Sequence, residues 1–231
     1  MFELSDADWT AILLSLRVAT VATLIATPLG IAVAWLLARR EFWGKAALDA
    51  LVYLPLVLPP VVTGYLLLLT FGRKGLVGAW LADTLGIVFA FRWTGAALAC
   101  GVMSFPLLVR PIRLSIEAVD RKLEQAASTL GAAPWRVFLT VTLPLALPGI
   151  VAGMVLGFAK AIGEFGATIT FVSNIPGETQ TISAAIYSLT QTPDGDAAAL
   201  RLVIVSIAIA MAALIASEIL ARRATRRLHG Y

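Results

Sequence analysis

The sequence predicts an all-α integral membrane protein with about five transmembrane helices and a water-compatible helical hairpin between the third and the fourth. Three observations carry this. Hydrophobic residues make up 59% of the 231 positions, against 14% charged, with a mean hydropathy of +0.88, far from soluble averages. Charge-free apolar runs recur at 18–38, 50–71, 93–109, 137–159 and 202–217. Between the third and fourth runs the pattern changes from continuous to periodic, with charges interleaved.

A helix needs about 20 apolar residues to cross roughly 30 Å of hydrocarbon. The first two runs satisfy this, whereas the third and fifth must borrow flanking residues. The spans are therefore placed at about 11–38, 47–71, 92–112, 148–173 and 199–220 within one transmembrane domain over 11–220, after an N-terminal tail (1–10) and before a basic tail (221–231). The fourth run holds Pro144 and Pro148, and apolar character resumes beyond Lys160 and Glu164 as far as Val172. A start at Pro148 follows because proline fits a first helical turn but lacks the donor an interior turn needs; a kinked helix running on from Val137 is the alternative. Trp9, Trp43, Trp80, Trp93 and Trp135 fall near span ends, where an amphipathic ring suits the headgroup zone. Arg17, near the outer end of the first span, is expected to snorkel to the interface. The N-terminus lacks the basic segment and short apolar core of a secretory signal, so no cleavage is expected.

Short loops rich in Lys and Arg stay cytoplasmic. Arg39, Arg40, Lys45, Arg110, Arg113, Arg121, Lys122, Arg136, Arg222, Arg223, Arg226 and Arg227 fall on one side of this arrangement. Arg73, Lys74, Arg92 and Arg201 fall on the other, with the acidic Glu3, Asp6 and Asp8. The expected topology is N-terminus outside and C-terminus cytoplasmic. The net charge of +4 is explained by this clustering on one membrane face, so nucleic acid is not an expected partner. A lone Cys100 and a lone His229 exclude a disulfide framework and zinc chemistry.

The hairpin spans 116–144. Ile116, Val119, Leu123, Ala127 and Leu130 recur at helical spacing, with Glu117, Asp120, Arg121, Lys122 and Glu124 on the other positions. Gly131 stands where a left-handed cap is expected and Pro134 opens the next turn, so two helices meet at a tight corner facing the cytoplasm. Read from composition alone, the segment is equally a loop helix lying on headgroups.

Two membrane segments are irregular. In YLPLVLPPVVTGY, residues 53–65, Pro55, Pro59, Pro60 and Gly64 interrupt an apolar helix. Irregular backbone at membrane depth is tolerated where protein covers it or it lines an aqueous path, so this stretch is a candidate pathway wall or else a packing kink. In FAKAIGEFGATITFVSNIPGET, residues 158–179, Lys160 and Glu164 are four apart and so on one helical face. Intramembrane charge is costly unless paired or hydrated and points to function by default; the competing reading is a structural ion pair. Gly163 and Gly166 flank Glu164 and would admit a second backbone, that of a second copy among the possibilities.

From Gln125 the chain reads Gln-Ala-Ala, three residues, Gly131, nine residues, Val141, one residue, then Leu143-Pro144. This resembles the EAA motif of ABC importer permeases, Glu-Ala-Ala, three residues, Gly, nine residues, Ile, one residue, Leu-Pro. Gln125 stands at the motif's Glu, with Glu124 one place earlier, and Val141 stands at its Ile. The resemblance implies that Glu124, Gln125, Ala126, Ala127, Gly131, Pro134, Leu143 and Pro144 form a coupling hairpin that fits a groove on a separate ATP-hydrolysing subunit. Ala126 and Ala127 would allow close approach, and Gly131 a corner that a side chain would block.

LPLVLPPVVTGYLLL, GEFGATITFVSNIPGET, SFPLLVRPIRLSIEAVD and QTP at 191–193 are similar to the molybdate permease subfamily of these importers, over about 8–221. The implied fold is a type I ABC importer transmembrane domain. The implied assembly is a homodimer embedded in lipid, joined to two ATP-binding subunits and served by an external molybdate-binding protein. Permeases for sulfate, tungstate and thiosulfate are similar, which leaves the oxyanion open. Pro59, Pro60, Thr63, Gly64, Lys160, Gly163, Glu164, Gly166 and Thr168 are the expected pathway or gate. No Gly-x-x-x-x-Gly-Lys-Ser/Thr phosphate loop occurs, so ATP and Mg are expected on the partner and no catalysis or cofactor on this chain. A secondary transporter or channel would be favoured by inverted repeats, which are not evident here, and a simple anchor would have no use for broken spans.

Overall fold

The computed structural model describes residues 4–229. It is helical throughout, with no strand among the described residues. The side chains of the basic tail, 221–231, lie outside the description.

Helix α1, Asp6–Arg39, opens with a capping box in which the Asp8 N–H donates to the Ser5 hydroxyl (3.2 Å) and the Ser5 N–H to the Asp8 carboxylate (2.9 Å). It runs through Pro28 and ends at an extended Arg40. Next come α2, Lys45–Val57, and α3, Pro60–Phe71, bent by 116° at the Leu58–Pro59 break. Of the four predicted interruptions only the Pro59–Pro60 pair breaks the chain; Pro55 and Gly64 remain inside helices. A short α4, Leu76–Leu85, precedes the central helix α5, Trp93–Ala118.

Two spans in this region are long and apolar enough to cross a membrane, α1 and α5; two more follow, Pro134–Ile162 and the start of α11, Asp196–His229. Counting the bent α2–α3 pair gives five. The remaining elements are α6, Arg121–Thr129; α7, Pro134–Val137; a π-helical turn, Phe138–Thr142; α8, Leu143–Ile162; α9, Gly166–Val172; and α10, Ile182–Thr190.

The fourth span departs from the 148–173 expectation at both ends. It starts at Pro134 and passes through the π turn, where the Leu143 N–H reaches back to Phe138, and Pro148 stays within α8. A proline inside a membrane helix removes one ladder bond, which neighbours and local π adjustment make tolerable. The real break lies at Gly163–Phe165, so α9 is a separate short helix.

α5 packs between α1 and α8, with Ala96, Ala99, Cys100, Leu108, Val109 and Ile112 fully buried. Its crossing with α8 is close because Gly149, Gly153 and Gly157 line one stripe. A Cβ on Gly149 would strike Ser115, and one on Gly153 would come within 2.6 Å of the Leu108 carbonyl. Small residues four apart let membrane helices approach where no hydrophobic effect drives them together. Large apolar side chains such as Leu13, Ile207 and Met211 point outward, as lipid contact requires. Arg17 does more than snorkel: its guanidinium lies 3.7 Å over the Trp93 ring.

Candidate functional site

The hairpin is shorter at its start than 116–144. Ile116 belongs to α5 and is buried; the chain leaves that helix at Val119, and Asp120 caps α6 by accepting from the Lys122 N–H (2.9 Å). The break falls here because Asp120 is a strong helix-starting residue, which outweighs a periodicity that runs on through it. At the other end of α6, Gly131 adopts φ +85°, the Gly131 N–H bonds Ser128 (3.0 Å) and the Ala132 N–H bonds Ala127 (3.2 Å). That is the Schellman pattern, which satisfies the orphan carbonyls of the last turn. A Cβ at Gly131 would meet nothing within 4 Å, so glycine is required by the left-handed cap that the sequence predicts and not by a corner that a side chain would block. Pro134 opens α7 and is exposed, while Leu143 and Pro144 are half-buried at the start of α8.

Gln125 and Ala126 are exposed and Ala127 is half-buried, beside the exposed Leu123, Leu130 and Trp135. Glu124 turns the other way. Its Oε1 accepts from the Thr142 hydroxyl (2.6 Å) and lies 3.1 Å from an Arg39 guanidinium nitrogen. That same nitrogen donates to the Val119 carbonyl (3.0 Å). A cleft of about 500 Å³ opens beside this group, between the end of α1 and the hairpin, and its lining includes Trp35, Arg40 and Arg121. Nearby, the Arg113 guanidinium ties Asp49 of α2 (2.6 Å) to Glu117 (2.8 Å). Lys45, the first residue of α2, donates to Glu41 in the loop after α1 (2.6 Å) and holds that carboxyl below the usual carboxylate range.

The other candidate residues converge where α3 meets α9. A Cβ on Gly64 would lie 2.5 Å from the Ala167 carbonyl oxygen, and one on Gly166 would lie 2.7 Å from Pro60. Gly166 therefore admits a helix of the same chain. Gly163 is exposed, and Pro59 and Pro60 are exposed at the bend. Glu164, 1% exposed, occupies the break before α9 instead of sharing a continuous helix with Lys160. It accepts from the Ala167 N–H (2.9 Å) and from the Lys160 ammonium (2.7 Å). A carboxylate at a helix N-terminus is favoured by the free N–H groups there. Thr168 is buried and bonds the Phe165 carbonyl (2.9 Å). The Thr63 hydroxyl is buried without a partner among the described residues, on the wall of an open apolar cleft of about 830 Å³ lined mainly by α1, α2, α3 and α5.

Residues 26–226 match the family described as binding-protein-dependent transport system inner membrane component. The chain belongs to that family. It is 62% identical over 224 residues to the molybdenum transport system permease protein ModB of Escherichia coli (strain K12), covering 97% of this chain and 98% of that one. The corresponding ModB of Haemophilus influenzae is 56% identical, with 95% and 96% covered. The sulfate transport system permease protein CysT of Escherichia coli (strain K12) is 37% identical over 92% of this chain and 76% of that one. Among solved structures, a bacterial ABC transporter involved in import of the acidic polysaccharide alginate superposes with a TM-score of 0.74 at 20% identity, covering 95% of this chain and 80% of that one. The MetNI methionine ABC transporter in an inward-facing form gives 0.71 at 15% identity, with 96% and 100% covered. The fold is thus that of ABC importer transmembrane domains.

For this membrane-embedded permease the sequence carries a signal for the corner of the hairpin but none for the partners of Glu124. Arg39 ends α1 and Thr142 lies in the π turn, and no local pattern joins either of them to Glu124. The glycine stripe of α8 is legible as small residues spaced by four.

Proposed function

We propose that the chain is the channel-forming subunit of an ATP-driven importer that translocates molybdate across the bacterial inner membrane. Two copies would form the channel within the lipid bilayer. Two ATP-binding subunits, carrying the ATP and Mg, would dock on the hairpins, and an external binding protein would deliver the anion. The N-terminus would lie outside and the basic end of the bundle in the cytoplasm. The observation that carries this reading is the rigid corner at Gly131, which presents Leu123, Ala126, Leu130 and Trp135 outward from a bundle otherwise clothed in lipid-facing side chains.

ATP binding would close the partner pair, the hairpin would carry that motion, and the helices from α2 onward would reorient. The bend at Pro59–Pro60 and the break at Gly163–Phe165 are the non-helical points about which such reorientation requires least. Pro59, Pro60, Thr63, Gly64, Gly163, Gly166 and Thr168 would shape the gate, with Lys160 and Glu164 holding its break. Neutral walls suit passage, because tight binding within a path slows release. Molybdate is favoured over sulfate because the molybdenum permeases of Escherichia coli and Haemophilus influenzae share 62% and 56% of residues with this chain and the Escherichia coli sulfate permease 37%; tungstate and thiosulfate are the other competitors.

The test is copurification of a P-loop subunit with the chain, followed by ATP hydrolysis in proteoliposomes containing the binding protein. Molybdate should stimulate hydrolysis and accumulate. Stimulation by sulfate alone would reassign the anion, and transport without any ATPase partner would sink the importer assignment.

A further inference from the structure

The carboxylate of the hairpin is used inward. Glu124 has a side chain 20% exposed and Arg39 one 9% exposed, and their contact (3.1 Å) is shared with the Thr142 hydroxyl (2.6 Å). Three elements meet at one oxygen: the end of α1 through Arg39, the amphipathic α6 through Glu124, and the π turn leading into α8 through Thr142. Arg39 adds a fourth, since it also holds the Val119 carbonyl (3.0 Å) at the junction of α5 and α6. Among the described residues little else binds α6 to the bundle, as none of its residues is buried and its polar contacts otherwise stay within its own turns. The π turn has a role here. It shifts the helical register by one residue, and Thr142, buried at 1% exposed, meets Glu124 within that turn.

We infer that Arg39, Glu124 and Thr142 are positioning residues that transmit displacement of the hairpin to α1 and α8, while the neighbouring Gln125 faces the partner. This deepens the proposed importer function and rests on it. A charge-assisted, mostly buried network holds one geometry where a solvated pair would slip, so a push on α6 moves three membrane helices together. Without the network α6 would pivot on Val119 and Leu130, and ATP would be hydrolysed with little movement of the channel.

The experiment reconstitutes the full complex with Arg39→Ala, Glu124→Ala, both together, and Thr142→Val, and measures binding of the ATPase subunit, hydrolysis and uptake separately. Each single variant should keep the subunit bound and lower anion uptake per ATP about tenfold, the size of one charge-assisted hydrogen bond. The double variant should be worse than either single one but short of their product, because the Arg39–Glu124 contact is common to both, while Arg39→Ala alone also frees Val119 and Glu124→Ala alone also frees Thr142. Arg39→Lys should recover part of the ratio, since one cation still reaches Glu124. An unchanged ratio in assembled variants, or effects that multiply in the double, would overturn the inference. If the charge variants fail to assemble, Thr142→Val decides, because it removes only a hydroxyl: a lowered ratio supports the network and an unchanged one refutes it. Failure of the unaltered chain to bind an ATPase subunit would count against the importer function itself and is read from the wild-type arm alone.

Discussion

Removing Lys160 should damage this protein more than neutralising Glu164, although the two form one ion pair. In Lys160→Met the carboxylate of Glu164, 1% exposed, keeps among the described residues one hydrogen-bond partner, the Ala167 N–H at 2.9 Å. Stripping one member from a buried pair leaves an uncompensated charge and costs about 3–5 kcal/mol. In Glu164→Gln the group left behind is Lys160, whose side chain is 29% exposed and so is less completely desolvated than Glu164. The new amide oxygen can still accept from Ala167, so the loss is that of charge assistance, about 1–2 kcal/mol. The double variant, Lys160→Met with Glu164→Gln, holds no charge at the break and should recover a large part of the Lys160→Met loss. Unfolding of the purified complex in detergent, followed by denaturant or heat, gives the three values, and uptake gives a second axis. If Glu164→Gln proves the more damaging, or the double is no better than Lys160→Met, burial is not what sets the energetics here. Normal uptake in a stable Glu164→Gln complex would make the pair purely structural and remove it from the gate.

Gly64→Ala should cost about 1–3 kcal/mol and loosen the α3–α9 contact, because its Cβ would lie 2.5 Å from a backbone oxygen, which cannot swing aside as a side chain can; thermal unfolding that matches wild type would contradict this. Gly131→Ala should cost only the left-handed penalty of about 1–2 kcal/mol, and Gly131→Leu about the same in the isolated chain, since the surrounding space is open. If Gly131→Leu abolishes ATPase-subunit binding while Gly131→Ala retains it, the partner occupies that space; equal binding places the partner elsewhere. Thr63→Val removes a buried hydroxyl without a partner and should be neutral or stabilising by up to about 1 kcal/mol, and reduced uptake in a more stable protein would mark Thr63 as part of the path.

The features legible in the sequence are those set by local pattern. Apolar runs gave the long helices, and Gly131 followed by Pro134 gave the corner, because a positive φ and a proline-started turn each depend on a few adjacent residues. Helix breaks in the membrane were less legible. Pro148 looks like a stop but is carried through by the surrounding packing, whereas Gly163–Phe165 looks continuous and is broken, with Glu164 turned onto the first turn of α9. Short helices such as α4 and α10 fall below the length at which an apolar run declares itself.

The sharpest case is the pair Glu124 and Gln125. Aligning by spacing puts Gln125 at the position of the motif's acid, and a one-residue offset looks negligible along a sequence. Around a helix it is not, since each residue turns the chain by about 100°. Gln125 accordingly points to solvent, while Glu124 points back to Arg39 and Thr142. The one-place shift of the acid moves negative charge from the face that would meet a partner to the face that grips the bundle. A Glu124→Gln, Gln125→Glu exchange keeps composition and motif but reverses that assignment. It should restore the motif's literal spelling and yet lower uptake per ATP as Glu124→Ala does; full activity in the exchanged protein would show that the carboxylate's direction is immaterial.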